Sequence, residues 1–223
     1  MNWNTNMPAR VDHENRRLEI ASKAMKLFSQ VGYDNVSLLM VASAAGVART
    51  VLYRYFRSKR EVFDAAILAA TRRIMGDCRK VMASGGSVSD RLSMVCFRVT
   101  DMLFEERDFL AAIFDFVMSM VRKGEDMRGR ITQFTFGIKD AFRAMVTEGV
   151  MKGELSAETD PERVTEGLFC VLESSVLRIV LGTESSSANI KVHFADMVKA
   201  LSARRSEICN RSVSGAVSTS VLL

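Results

Sequence analysis

Proline is almost missing from this chain, at two in 223 residues, and glycine is scattered rather than clustered. Both shortages remove the usual interruptions of helix. No stretch of β-branched residues alternates at period two over a useful length, which excludes a sheet and leaves an all-α reading. There is no 18-residue apolar run, and no apolar N-terminal segment of the kind that directs export, so no membrane partner is expected. Imidazole is scarce, with only His13 and His193. Metal-ligand spacing, a nucleophile elbow and a phosphate-cradling glycine loop are all missing. Neither an enzyme nor a cofactor or metal is therefore expected. Cys78, Cys96, Cys170 and Cys209 form no C-x-x-C pair and read as buried thiols of a reducing compartment.

The residues that are present are unevenly spread. Residues 1–60 hold ten Lys and Arg against four Asp and Glu, so the whole positive excess of the chain, +5, lies there. All three tyrosines, Tyr33, Tyr53 and Tyr55, fall in the same part. Basic residues are often only solvated, but this asymmetry also suits a polyanion. Within that part, Leu38, Val41, Ala42 and Ala45 recur at helical spacing. Gly46 follows, able to take the positive φ that ends a helix, and Val47, Leu52 and Phe56 give the next segment its apolar side. A short helix, a Gly-centred turn and a second helix carrying Arg49, Thr50, Tyr53, Arg54 and Tyr55 make a helix-turn-helix.

The run resembles the DNA-binding half of the TetR family of bacterial transcriptional regulators, whose pattern is a Thr or Ser, an apolar helix, then A-G-V-S-x-G-T-L-Y-x-x-F-x-S-K-E-x-L. Ser37, Ala45, Gly46, Val47, Leu52, Tyr53, Phe56, Ser58, Lys59 and Glu61 are in register with it. The close likeness spans roughly residues 15–65; beyond that it is one of length and helical layout. Three positions depart: Ala48 stands where Ser is common, Thr50 for Gly and Val51 for Thr. The missing hydroxyl at position 48 removes an N-cap worth about 1 kcal/mol. Thr50 and Val51 offer methyl groups that thymine can meet in the major groove.

The resemblance implies a cytoplasmic bacterial homodimer binding a double-stranded, palindromic DNA operator through Ser37, Arg49, Thr50, Val51, Tyr53, Arg54, Tyr55 and Lys59. Ser37 suits the N-cap of the first motif helix and, in the family, often touches a phosphate. Tyr53 either reaches DNA or closes its helix against the first one, and an amphipathic ring can do both. Ser58 and Glu61 have capping-box spacing, which would place Lys59 beside a helix N-terminus, a good phosphate site. Ahead of the motif, Ile20, Ala24, Leu27, Phe28 and Val31 mark a first helix over 12–31, ended by Gly32 and Tyr33. Residues 1–11 read as a flexible arm, with Arg10 near DNA.

The domain plan is then a DNA-binding domain over 12–60, a helical effector-binding and dimerisation domain over 61–210 and a disordered tail over 211–223. Helices are expected from Glu61 onward, then at 88–106, 108–123, 127–151, from Asp160-Pro161, and at 187–209. Met102, Phe104, Phe114, Met118, Phe134 and Phe142 belong to a crowd of Phe and Met that either fills a core or lines a pocket adaptable to an apolar effector. The lack of Trp and Tyr beyond Tyr55 favours a neutral or anionic effector over a quaternary cation. Asp101, Asp115, Arg98 and Arg178 interrupt apolar runs and are candidates to orient it, although Asp115, Ser119 and Arg122 also share the spacing of a solvated face. By resemblance, the last two helices pair with their counterparts, giving Leu168, Leu172, Val176, Phe194 and Val198 as dimer-interface candidates; burial within one subunit would explain the same stripe. The expected function is a repressor released from its operator by a small apolar ligand. The alternative is an activator or a constitutive DNA-binding protein of the same fold.

Overall fold

A computed structural model describes residues 7–201, with side chains from Asp12 onward, and among them every regular element is a helix. In chain order these are α1 (Met7–Asn35), α2 (Leu38–Ala45), α3 (Arg49–Tyr55), α4 (Lys59–Met82), α5 (Val88–Glu105), α6 (Arg107–Arg122), α7 (Arg128–Met151) and α8 (Pro161–Val180). A ninth helix, α9, runs over 187–201. The expected tail over 211–223, the end of the expected last helix at 202–209, Cys209 and residues 1–6 lie outside the described residues. Residues 7–11, expected in the arm, are helical and extend α1 backwards; the side chain of Arg10 is outside the description.

Most helix ends have a local cause. Gly32, at φ 74 and ψ 165, breaks α1 as its lack of a Cβ allows. Ser87 starts α5 by accepting the Asp90 N–H while its hydroxyl donates to the Asp90 carboxylate at 2.7 Å. Asp160 caps α8, its carboxylate accepting from the Glu162 and Arg163 N–H groups, with Pro161 in the first turn.

The chain divides into two compact units, with the boundaries inside α4 and α7 and between α5 and α6. The sequence suggested a division after residue 60. Packing instead places 106–135 with residues up to Ile74, because α6 supplies the apolar side chains that complete the first core. In that unit Ile20, Ala24 and Phe28 of α1, Val41, Ala42 and Ala45 of α2, Leu52 of α3, Phe63 of α4, and Phe109 and Phe116 of α6 are buried together. Phe63 is its aromatic centre: its ring lies 4.7 Å from Phe28, 5.0 Å from Tyr33 and 4.9 Å from Phe116. Val31, expected on the apolar stripe of α1, is exposed. It falls in the last turn before the Gly32 break, where the stripe has drifted off the core.

In the second unit Leu92, Val95, Cys96, Val99 and Met102 of α5, Phe142, Met145 and Val146 of α7, Leu168 and Leu172 of α8, and Phe194 and Val198 of α9 are buried. Gly149 is needed at the end of α7, since a Cβ there would stand 2.9 Å from Leu155 Cγ and 3.2 Å from Val88 Cγ1. Arg91 is buried and its two terminal nitrogens are paired: it donates to the Met82 carbonyl at 2.7 Å and to the Glu148 carboxylate at 2.6 Å, while its Nε has no partner. The guanidinium, helped by Lys152, holds the Glu148 carboxyl down at about 2.

Candidate nucleic-acid interface

The site is built on α3, and α2 holds α3 in place. Ser37 accepts the Met40 N–H on its side-chain oxygen and caps α2. Gly46, at φ 68, closes the helix in the left-handed conformation and lets the chain turn at once into α3. Leu52 and Phe56 then enter the core, which fixes the rotation of α3 about its axis. The face that remains outward carries Arg49, Thr50, Tyr53 and Arg54, all exposed. Arg49 donates to the Tyr53 hydroxyl at 3.3 Å, with its guanidinium 5.5 Å from the ring centre. This i, i+4 pair was readable from spacing alone. Ala48 makes no side-chain cap, so α3 lacks that anchor.

The structure separates the other candidates from this face. Val51 and Tyr55 are half-buried. Tyr55, not Tyr53, is the tyrosine that packs inward: its ring lies 4.7 Å from that of His13 on α1. Tyr53 is 44 % exposed, which removes the reading of it as core. Two positions separate the tyrosines, and about 200° of helix rotation puts them on opposite sides. Arg17, which sequence reasoning passed over, places its guanidinium 4.8 Å above the Phe56 ring and packs α1 on the end of α3.

Lys59 is more engaged than its motif suggests. Its ammonium donates to the Tyr33 carbonyl at 2.8 Å and the Asp34 carbonyl at 2.9 Å, and lies 4.5 Å from the Tyr33 ring centre. It therefore ties the end of α1 to the start of α4. The Ser58 hydroxyl accepts the Glu61 N–H as expected, but the Glu61 carboxylate accepts the Arg57 N–H at 2.9 Å instead of that of Ser58. Two ion pairs bind the α6–α7 turn to α4: Arg60 with Glu125 at 2.6 Å, and Asp64 with Arg130. The Arg60 hydrogen bond keeps the Glu125 carboxyl below its ordinary value, and burial raises the Tyr33 phenol.

The six residues expected in a pocket do not share one environment. Met102 and Phe142 are buried core of the second unit, and Phe104 is half-buried there. Phe114 and Met118 are exposed on α6 of the first unit, and Phe134 packs against that unit's core beside a groove of about 530 Å³. Counting apolar residues locates a hydrophobic segment without saying which way each side chain faces. Three of the charges considered as ligand contacts are paired within the second unit: Asp101 with Lys191 at 2.5 Å, Arg98 with Asp77 at 3.2 Å, and Arg178 with Glu184 at 2.6 Å. Asp115 and Arg122 are exposed, whereas Ser119, placed with them by spacing, is buried. Nor are the cysteines uniform. Cys78 and Cys96 are buried, with burial pushing Cys78 up to about 11, but Cys170 is exposed.

The interface candidates show a similar displacement. Leu168, Leu172, Phe194 and Val198 are buried within the single chain and Val176 is half-buried, so this stripe joins α8 and α9 to their own unit. The outward stripe of α8, missed from sequence, is Cys170, Ser174, Leu177 and Leu181, with Leu177 44 % and Leu181 63 % exposed. On α9 the exposed apolar positions are Ala188, Val192 and Ala200. A dominant apolar stripe marks the inner side of a helix, and the weaker one beside it carries the surface information.

The geometry agrees with comparison to known proteins. Residues 20–66 match the family model of bacterial regulatory proteins, tetR family. Among curated proteins, the chain is 24% identical to the nucleoid occlusion factor SlmA of Marinobacter nauticus over 74% of this chain and 84% of that protein. Among solved structures, a TetR-family transcriptional regulator from Rhodococcus sp. superposes with a TM-score of 0.70 at 18% identity, covering 83% of this chain and 97% of the other. The transcriptional regulator FadR of Bacillus subtilis, solved in complex with stearoyl-CoA, superposes with a TM-score of 0.65 at 15% identity over 81% and 96%. Helix-turn-helix geometry and family match converge on one conclusion: at residues 20–66 this chain carries the DNA-binding helix-turn-helix domain of the TetR family of bacterial regulatory proteins, in an all-α fold shared with solved TetR-family regulators.

Proposed function

We propose that the protein is a homodimeric repressor whose α3 enters the major groove of a palindromic operator and leaves it when an apolar ligand binds. The observation that carries the DNA reading is the outward face of α3: Arg49, Thr50, Tyr53 and Arg54 project together while Leu52 and Phe56 fix the helix behind them. Arg54 suits the edge of a guanine, Thr50 a thymine methyl, and Tyr53 and Ser37 the phosphate-sugar backbone. Lys59 contributes mainly by bracing α1 against α4, with one ammonium proton left for a phosphate. Tyr55 and Val51 act from behind this face.

Dimerisation would use the outward stripes of α8 and α9, Cys170, Ser174, Leu177, Leu181 and Val192, in place of the buried stripe. The bound acyl-CoA in the FadR structure supports a long acyl chain as the effector class to try first. Thr165 on α8, fully buried with its hydroxyl unpartnered, is a polar atom such a ligand can engage. Release would follow from a ligand that prefers a conformation with the two α3 helices wrongly spaced. A constitutive DNA binder is the second reading, favoured by the burial of Met102 and Phe142 in core and the exposure of Phe114 and Met118.

The test combines operator variants with ligand. Arg54→Ala is expected to flatten preference at one base pair, a discrimination of about 1–3 kcal/mol, while Lys59→Ala weakens all sequences alike. Equal loss on every sequence for Arg54→Ala would reassign it to phosphate. Release of the wild-type complex by a long-chain acyl-CoA supports the repressor reading. Operator binding unmoved across a set of acyl-CoA and free fatty acids favours the constitutive one.

A further inference from the structure

The outer face of α6 is apolar where a solvated helix would be polar. Ala111, Phe114, Met118 and Val121 are exposed at i, i+3, i+7 and i+10, with Phe114 37 %, Met118 39 % and Val121 51 % exposed. The opposite face of the same helix, with Phe109, Ala112, Phe116 and Met120, already fills the core of the first unit. The outer stripe is therefore surplus to the fold, and such a contiguous patch marks a contact surface.

Its flank says what fits. Asp115 and Arg122 lie two turns apart along one edge of the stripe, both exposed, and neither has an ion-pair partner among the described residues. Most other acidic side chains along the bundle are paired, as Glu106, Glu125, Glu148 and Glu162 illustrate. A two-fold axis crossing α6 between Met118 and Ser119 brings an antiparallel copy of the helix onto the stripe. Around that axis the same edges of the two helices adjoin, so Asp115 comes level with Arg122 of the other copy, twice. Met118 then meets Met118, and Phe114 packs beside Val121. We infer that the outer face of α6 is a self-association surface that takes the α6 of a second copy of this chain, antiparallel, with reciprocal Asp115–Arg122 pairs.

A single helix pair buries less than the standard interface of about 1,600 Å², so the contact belongs to the weak class and forms at high local concentration, as between molecules on neighbouring DNA sites. It is separate from the α8–α9 contact proposed above. Two isologous surfaces on one chain turn dimers into tetramers or longer rows.

Sedimentation velocity of the full chain at rising concentration tests this together with Phe114→Asp, Arg122→Asp, the swap Asp115→Arg with Arg122→Asp, and Leu177→Glu. Thermal melts show that each variant folds. Phe114→Asp and Arg122→Asp are expected to halve the mass reached at high concentration, and the swap to restore it. If instead Phe114→Asp and Arg122→Asp leave the mass unchanged while Leu177→Glu lowers it, the α6 inference is wrong and the α8–α9 reading stands. The reverse pattern sinks the α8–α9 reading alone. In a chain with Cys170 and Cys209 replaced by Ser, Met118→Cys should cross-link under mild oxidation. Phe114→Cys, about 13 Å from its mate along the axis at 1.5 Å per residue, should not. Cross-linking of Phe114→Cys but not Met118→Cys would overturn the antiparallel register.

Discussion

The two units of this protein put similar apolar content to different use. In the α2–turn–α3 segment, short elements are specified by local chemistry: a serine cap, a left-handed glycine, and two apolar anchors that set the helix rotation. In the second unit, local caps such as Ser87 and Asp160 start long helices but apolar stripes alone set their facing, and buried Leu168, Leu172, Phe194 and Val198 do the ordinary work of a core. The first arrangement dictates which side chains point outward. The second dictates only that something apolar must be covered.

The largest effects should come from the cores. Phe63→Ala removes the centre of the first unit's aromatic cluster and should cost about 3–5 kcal/mol in denaturant unfolding, with DNA binding lost in proportion to folding. A loss below 1 kcal/mol would mean that α4 and α6 do not meet there as described. Leu168→Ala, in the second unit, should cost about 2–5 kcal/mol at any protein concentration. An effect that vanishes on dilution would return Leu168 to the dimer interface and erase the contrast between buried and outward stripes.

Smaller changes sharpen the comparison. Gly149→Ala adds a Cβ against Leu155 and Val88 and should destabilise by about 1–3 kcal/mol despite the better helix propensity of alanine. A gain in stability would show that the end of α7 relaxes freely. At Glu148, whose carboxyl is held down at about 2, the folded form binds its proton less readily than the unfolded chain. Its stabilisation is therefore complete above the ordinary carboxylate range and disappears as pH falls from about 4.5 towards 2. Glu148→Gln should flatten the pH dependence of melting in that window and leave no such step. Ala48→Ser restores a hydroxyl at the uncapped start of α3 and should stabilise by about 0.5–1 kcal/mol. No change in thermal melting would show that a hydroxyl finds no helix N–H there.

Much of this was legible in the sequence. The spacing of Val41, Ala42 and Ala45, the position of Gly46 and the Asp160-Pro161 start all reappear as structure, because each is decided within a few residues. The helices expected at 88–106, 108–123 and 127–151 likewise reappear as α5, α6 and α7, within a residue at each end. What failed was direction. Tyr53 and Tyr55 look equivalent in a string and face opposite ways on a helix already fixed by Leu52. Phe114 and Phe142 belong to one compositional cluster, yet one is exposed and the other buried, since tertiary packing chooses the face. Lys59 carries a motif role in sequence but spends two protons on the carbonyls of residues 33 and 34, partners 26 and 25 positions away.

The central claim is that the outward face of α3 reads DNA sequence. It is tested most directly by incubating the purified protein and its Tyr53→Ala variant with fragmented genomic DNA at near-physiological salt and sequencing what each retains. The account predicts that the wild-type protein retains a few fragments sharing one palindromic site and that Tyr53→Ala loses or broadens that set. Equal retention of all fragments, or the same few sites held unchanged by Tyr53→Ala, would contradict it.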